Sequence, residues 1–181
     1  MKKVHAAPIF LPWHRYFVQV YEDTLRNDCG YTGTAMYWNW EADWASPSKS
    51  SVWDSSSDLG FGGNGTESEA ASNGGHPRVM DGAFKNLRPT YWDGQVDPHY
   101  LSRDWAPAVP EANLPEMIGY AYGPEIMSEV RSWTDFATFA GALESSPHGG
   151  VHAGIARGRG DMGPVTSPNG MYSSSLYFSF L

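Results

Sequence analysis

The stretch His5-Ala6-Ala7-Pro8-Ile9-Phe10-Leu11-Pro12-Trp13-His14-Arg15-Tyr16-Phe17 sets two imidazoles nine positions apart, with a proline-bearing segment between them. Near the other end of the chain, His148-Gly149-Gly150-Val151-His152 sets a second pair at i,i+4 spacing. Four of the six histidines therefore fall into two local pairs. Neutral imidazole binds copper, zinc, iron and nickel. Two pairs at opposite ends of a chain suit a two-metal centre assembled between helices, for which copper is the expected metal. The i,i+4 pair shares one side of a helical turn. His5 and His14 cannot meet on one continuous helix, so His5 is expected in an extended lead-in and His14 near a helix start, as Pro8 and Pro12 favour. A helix N-terminus disfavours imidazolium and so favours a neutral His14. Zinc binding through His148 and His152 without redox chemistry has only the generic spacing behind it.

The bulk properties bound the answer. A chain of 181 residues is about one domain. It is 41% hydrophobic and 14% aromatic, with eight Trp and ten Tyr, which marks a globular chain. Twenty Gly and thirteen Pro imply many irregular connections. A net charge of −8 argues against nucleic acid and against an anionic membrane surface. No apolar run approaches the ~20 residues of a membrane span. Met1-Lys2-Lys3-Val4 has no apolar stretch behind it, so no signal peptide is read there. The lone Cys29 reads as a small hydrophobe. The sequon Asn64-Gly65-Thr66 would accept a glycan if the chain entered a secretory pathway.

Along the chain, Trp13, Phe17, Val20, Tyr21 and Leu25 recur at helical spacing and predict a helix from Pro12 to about Asp28, with Gly30 as its terminator. Glu22 and Arg26 pair at i,i+4 on it. The aromatic run Tyr31 to Trp40 is expected to pack against that helix. Residues 46–80 read as a long surface loop, and Arg88 to Pro115, with five prolines, as irregular structure wrapping the core. Further helices are predicted from Leu114 to about Tyr122 and from Thr134 to about Leu143. The organisation expected is a single domain over 1–181, with a loop-rich insertion at about 46–115 and an atypical Ser- and aromatic-rich tail at 170–181. His76 and His99 stand in Gly/Pro-rich loops and are expected at the surface. Trp13 and Phe17 are expected in the core. Gly149 and Gly150 are poor helix formers that demand tertiary support, and they keep bulk away from a metal. Glu144, four positions before His148, is a candidate for orienting a ligand ring or holding a water.

These motifs together resemble the tyrosinase and catechol oxidase family, fungal members above all. The resemblance is carried by His5 to Phe17, then Tyr21-Glu22 and Leu25-Arg26, Cys29-Gly30-Tyr31 and Tyr37-Trp38-Asn39-Trp40. It continues in order through Phe61-Gly62-Gly63-Asn64-Gly65, Asp81-Gly82-Ala83-Phe84, Leu101-Ser102-Arg103-Asp104, Leu143-Glu144, Pro147-His148, His152, Asp161-Met162-Gly163 and Ser167-Pro168-Asn169. It implies a mainly α fold, a helical bundle around a dicopper site with long irregular loops. It also implies copper as cofactor, O2 and a small phenol as partners, and oxidation of o-diphenols, or monophenols in true tyrosinases, to o-quinones. By motif, His5 and His14 would be copper-A ligands, His148 and His152 copper-B ligands, and Glu144 the carboxylate that holds a water in some members.

The departures from the pattern are specific. One further ligand histidine per copper is expected, upstream of His5 and after Asn169, where the chain instead reads Gly170-Met171-Tyr172. The chain is accordingly expected to be truncated at both ends, with an inactive remnant that binds metal weakly as the alternative to a working oxidase. Arg78 and Tyr100 stand where related fungal proteins often carry a cysteine pair. Gly149 stands where monophenol-hydroxylating members often have Asn, which favours diphenol oxidation. The family's frequent disulfides and the sequon hint at a secreted parent protein.

Overall fold

In the computed structural model, residues 5–92, 95–157 and 159–161 are described. The architecture is mainly α. In chain order it has α1 (Phe10–Cys29), α2 (Trp40–Asp43), a minimal antiparallel hairpin of β1 (Tyr91–Trp92) and β2 (Gln95–Val96), α3 (Pro124–Ser132), α4 (Phe136–Leu143) and α5 (Gly149–Ala156). No helix among the described residues is long and apolar enough to cross a membrane.

The first helix starts at Phe10, earlier than the proline pattern predicted, so Pro12 is its third residue and His14 its fifth. It ends at Gly30, whose φ of 67° lets its N–H reach the carbonyl of Leu25, as the sequence indicated. The Glu22–Arg26 pair forms on its surface. Only Phe10 and His14 of α1 are buried. Trp13 and Phe17 stack on one another at 5.4 Å but stay half-buried, outside the core where they were expected. The aromatic run behind α1 also packs elsewhere. Trp38 meets Trp53 and Tyr122, and Trp40 meets Tyr122.

That second location is the core, formed by Trp53, Met117, Ala121, Tyr122, Val151, Ile155 and Ala156. The helix expected over Leu114–Tyr122 is a 3-10 segment, Glu116–Tyr122, broken by left-handed Met117 and Ile118. It lies directly against α5. A Cβ on Gly154 would sit 1.9 Å from the Met117 carbonyl, and one on Gly150 would sit 2.6 Å from Ala121 Cβ. Those glycines therefore serve helix-to-segment contact, and this contact is the tertiary support the glycine-rich turn required. The α3 helix went unread in the sequence, although Gly123-Pro124 is a sound helix start and Ile126, Met127 and Val130 are suitably spaced. At α4, Asp135 caps the helix by accepting from the N–H of Thr138 at 2.8 Å.

The stretch 46–80 is not simply a surface loop. It folds through short 3-10 turns and buries Pro47, Ser50, Trp53, Asn73 and His76. Arg103 holds it in place. Its guanidinium, 4% exposed, donates to the carbonyls of Phe61, Gly62 and Gly63 at 2.6–2.9 Å. Burial lowers its pKa to about 10, which leaves it charged near neutrality. The Asp81 carboxylate accepts from the Gly63 N–H at 2.7 Å. Arg78 and Tyr100 face one another, with the guanidinium 3.5 Å over the ring. The tail at 170–181 lies outside the described residues.

Candidate metal centre

His5 and His14 reach His148 across the whole length of the chain. The three rings each offer a donor atom, and these atoms lie within 4.8 Å of one another. Ring centroids are 5.2 Å apart for His5 and His14, 5.8 Å for His5 and His148, and 6.0 Å for His14 and His148. His152 joins from the same side, 4.6 Å from His148. The residues that the sequence singled out as ligands thus share one cluster, with His14, His148 and His152 buried.

Local structure aims each ring. His148 ends a π turn, Glu144–His148, that contains Pro147, and α5 continues directly from it. Pro147 has no N–H to donate, so the regular ladder is interrupted here and the turn widens. In α1 the Nδ1–H of His14 donates to the Phe10 carbonyl at 2.7 Å. A carbonyl can only accept, so the proton sits on Nδ1 and the Nε2 lone pair remains for a metal. His148 is turned the same way, with Nδ1 3.3 Å from the Glu144 carbonyl and a buried Nε2 that meets no hydrogen-bond partner. Nδ1 of His5 is likewise buried without a partner. Orphaned imidazole nitrogens in a buried cluster are what a bound cation would satisfy. The donor set fits copper, which takes imidazole readily.

The electrostatics agree. Burial pushes His148 down to about 3, and the neighbouring His152 and His14 push it further in the same direction. Burial also lowers His14, against the opposing hydrogen bond to Phe10. It lowers His5, against the attraction of Glu144. Desolvation leads in each case, so the neutrality of His14 comes chiefly from burial, where the sequence had pointed to the helix N-terminus. Neutral imidazoles are ready ligands.

Two details escaped the sequence. Phe10 is fully buried at the centre of the cluster, with its ring 4.6 Å from His14 and 5.0 Å from His148. Its i,i+4 relation to His14 was the available signal. Glu144 accepts from the backbone N–H of Ala6 at 2.8 Å and so ties the His5 arm to the π turn. Ala6 adopts a left-handed φ of 49°, a conformation disfavoured for alanine that this tether helps to hold.

A cluster of neutral imidazoles drawn from two ends of a mainly α chain defines a helical protein with a candidate metal centre. The chain belongs to the tyrosinase family: it matches the common central domain of tyrosinase over residues 1–170. It is 37% identical over 165 residues to tyrosinase-like protein phomQ2 of Diaporthe leptostromiformis, which covers 91% of this chain and 40% of that protein. It is 31% identical over 165 residues to tyrosinase ustQ of Aspergillus flavus, covering 91% and 44%. With tyrosinase P of Aspergillus terreus the figures are 30% over 150 residues, covering 74% and 38%. The chain spans about two fifths of the length of these curated relatives.

Proposed function

We propose that the protein is a copper-dependent oxidoreductase that oxidises o-diphenols to o-quinones with O2, with His5, His14, His148 and His152 as copper ligands. The observation that carries this reading is the convergence of donor atoms from His5, His14 and His148 to within 4.8 Å. That convergence also weighs against an inert remnant. Bound copper supplies one-electron redox capacity toward O2. In the net reaction two diphenols each lose two electrons and two protons, and one O2 gains four of each to become two waters.

This chain's own residues set the conditions. The Phe10 and Glu144 carbonyls fix which nitrogen of His14 and of His148 faces the centre. Phe10 fills the space between rings and excludes water. Glu144 anchors the Ala6 backbone, which acts on the orientation of His5. Gly149 presents open space beside His148, where an added Cβ would meet only the Glu144 carbonyl, at 3.4 Å. A substrate ring can approach there. The absence of a side chain at Gly149 that could orient a proton-accepting water favours diphenols over monophenols.

The test is reconstitution of the purified chain with copper, followed by copper stoichiometry, O2 uptake and quinone absorbance with catechol. Copper retention with catechol-dependent O2 uptake, both lost in His148→Ala, is expected. Turnover unchanged in that variant would overturn the assignment, as would failure to bind copper.

A further inference from the structure

His76 and His99, expected at the surface, are buried to 6% and 3% exposure, and their rings lie 4.7 Å apart. His99 meets an acceptor at each ring nitrogen. Nδ1 lies 2.6 Å from the Asp97 carbonyl, and Nε2 lies 2.8 Å from Oδ1 of Asp161. A neutral imidazole carries one proton, so one of these contacts sets a bare lone pair against oxygen. Either the ring carries a second proton, or it gives up one contact for a metal ion.

The surroundings are arranged as metal sites are. Donor atoms of His76, Asp97 and His99 all lie within 4.8 Å of one another. His76 Nε2 is 3.4 Å from Oδ2 of Asp97, while its Nδ1 is buried with no hydrogen-bond partner. Asp161 is itself oriented, since its Oδ2 accepts from the N–H of Ser102 at 2.7 Å and from the Ser102 hydroxyl at 3.1 Å. A carboxylate held this way, taking the far N–H of a ligand histidine, is the usual outer support of a metal-bound imidazole. Trp92 closes the group with its ring 4.0 Å from His76 and 5.7 Å from His99.

We propose that His76, Asp97 and His99 form a second metal site, separate from the first histidine cluster, that takes a divalent cation of the zinc class. Two imidazoles and a carboxylate are a donor set suited to that class. The Asp161 carboxylate, the stronger acceptor, takes the proton of His99 Nε2, and a metal at Nδ1 takes the place of that nitrogen's contact with the Asp97 carbonyl. The site joins the loop before Arg78 to the turn after the β-hairpin. Through Asp161 it also reaches the segment that follows α5. Its role is structural, and the inference does not depend on the oxidase reading.

The experiment titrates the metal-stripped full chain with Co2+, read by its visible absorption, with Zn2+ as competitor. His76→Asn and Asp97→Asn are compared with His148→Asn, and far-ultraviolet circular dichroism checks each fold. A Co2+ site that is displaced by Zn2+ and retained in His148→Asn is expected, apart from any Co2+ taken by the first cluster, and it is weakened at least ten-fold in folded His76→Asn and Asp97→Asn. Asp97 is half-exposed, so its variant tests the site even if His76→Asn misfolds. The proposal is overturned by titrations identical to wild type in a folded cluster variant, or by loss confined to His148→Asn. It is also overturned if no Co2+ binds while the His99 ring resonances report an imidazolium, since a proton then holds the site.

Discussion

The two histidine clusters use the same side chain at nearly the same burial, 5% exposure for His148 and 3% for His99, yet titrate in opposite directions. Burial lowers His148 to about 3, and its neighbouring imidazoles, His152 and His14, push in the same direction. Burial also acts to lower His99 and is the largest single influence there. The hydrogen bonds to Asp161 and Asp97 and the charges of both carboxylates together outweigh it, and the pKa is raised. In the first cluster Glu144 commits a carboxylate oxygen to the Ala6 N–H. In the second, Asp161 points directly at the ring. Burial is the largest influence on both histidines, and what their nitrogens face decides whether it is reinforced, as in His148, or outweighed, as in His99.

The sharpest way to break the contrast is His148→Ala. Removing this buried, proposed ligand from the first cluster is expected to weaken copper binding beyond about 100-fold, more than loss of an outer support costs. Dialysis against copper followed by metal analysis reads it, and the Co2+ affinity of the second cluster should not move.

The pH dependence of the metal-free protein is next in size. His148 is lowered when folded, so between about 3 and the ordinary value of 6.5 the unfolded chain binds more protons. Stability then falls on acidification across that window by several kcal/mol, since each tenfold change in proton affinity is worth about 1.4 kcal/mol. His99 is raised, so its contribution is complete below 6.5 and is lost as pH rises through its folded pKa. Denaturant midpoints across pH should show both limbs. His99→Gln should flatten the alkaline limb alone, and a preserved alkaline loss in that variant would contradict the contrast.

A smaller effect concerns the tether. Glu144→Ala frees the Ala6 N–H and should reduce copper affinity about 10–100-fold. Glu144→Gln, whose amide oxygen still accepts, should lose less. Equal losses in the two would mean that charge and not tethering matters, a distinction that copper titration resolves. Smallest is Ser102→Ala, which removes a hydroxyl donor to Asp161 while the backbone N–H remains. A loss of about 1 kcal/mol, or about 2–4 °C in Tm, is expected in the second cluster's region. Calorimetry measures it.

Much of the first cluster was legible because its signals are local. The i,i+4 spacing of His148 and His152, the helical period after Trp13 and the terminating Gly30 each reflect interactions within a few residues. The second cluster was missed because its histidines stand in Gly- and Pro-rich stretches with no period to mark a buried face. Their burial comes from Trp92, Asp97 and Asp161, which reach them only after folding. The π turn was similarly hidden, since Pro147 interrupts a helix whose continuation depends on packing of Gly150 and Gly154 against the 116–122 segment.

By itself the sequence determined the candidate ligand residues, the helical period of α1 and its terminating Gly30, and through the family resemblance the mainly α character, because side-chain type and short-range periodicity are properties of neighbouring residues. Tertiary structure alone decided that His5 and His14 meet His148, that Glu144 tethers Ala6, and that His76 and His99 lie buried against carboxylates. Contacts between distant parts of the chain, and the desolvation that moves a pKa, exist only once packing has excluded water.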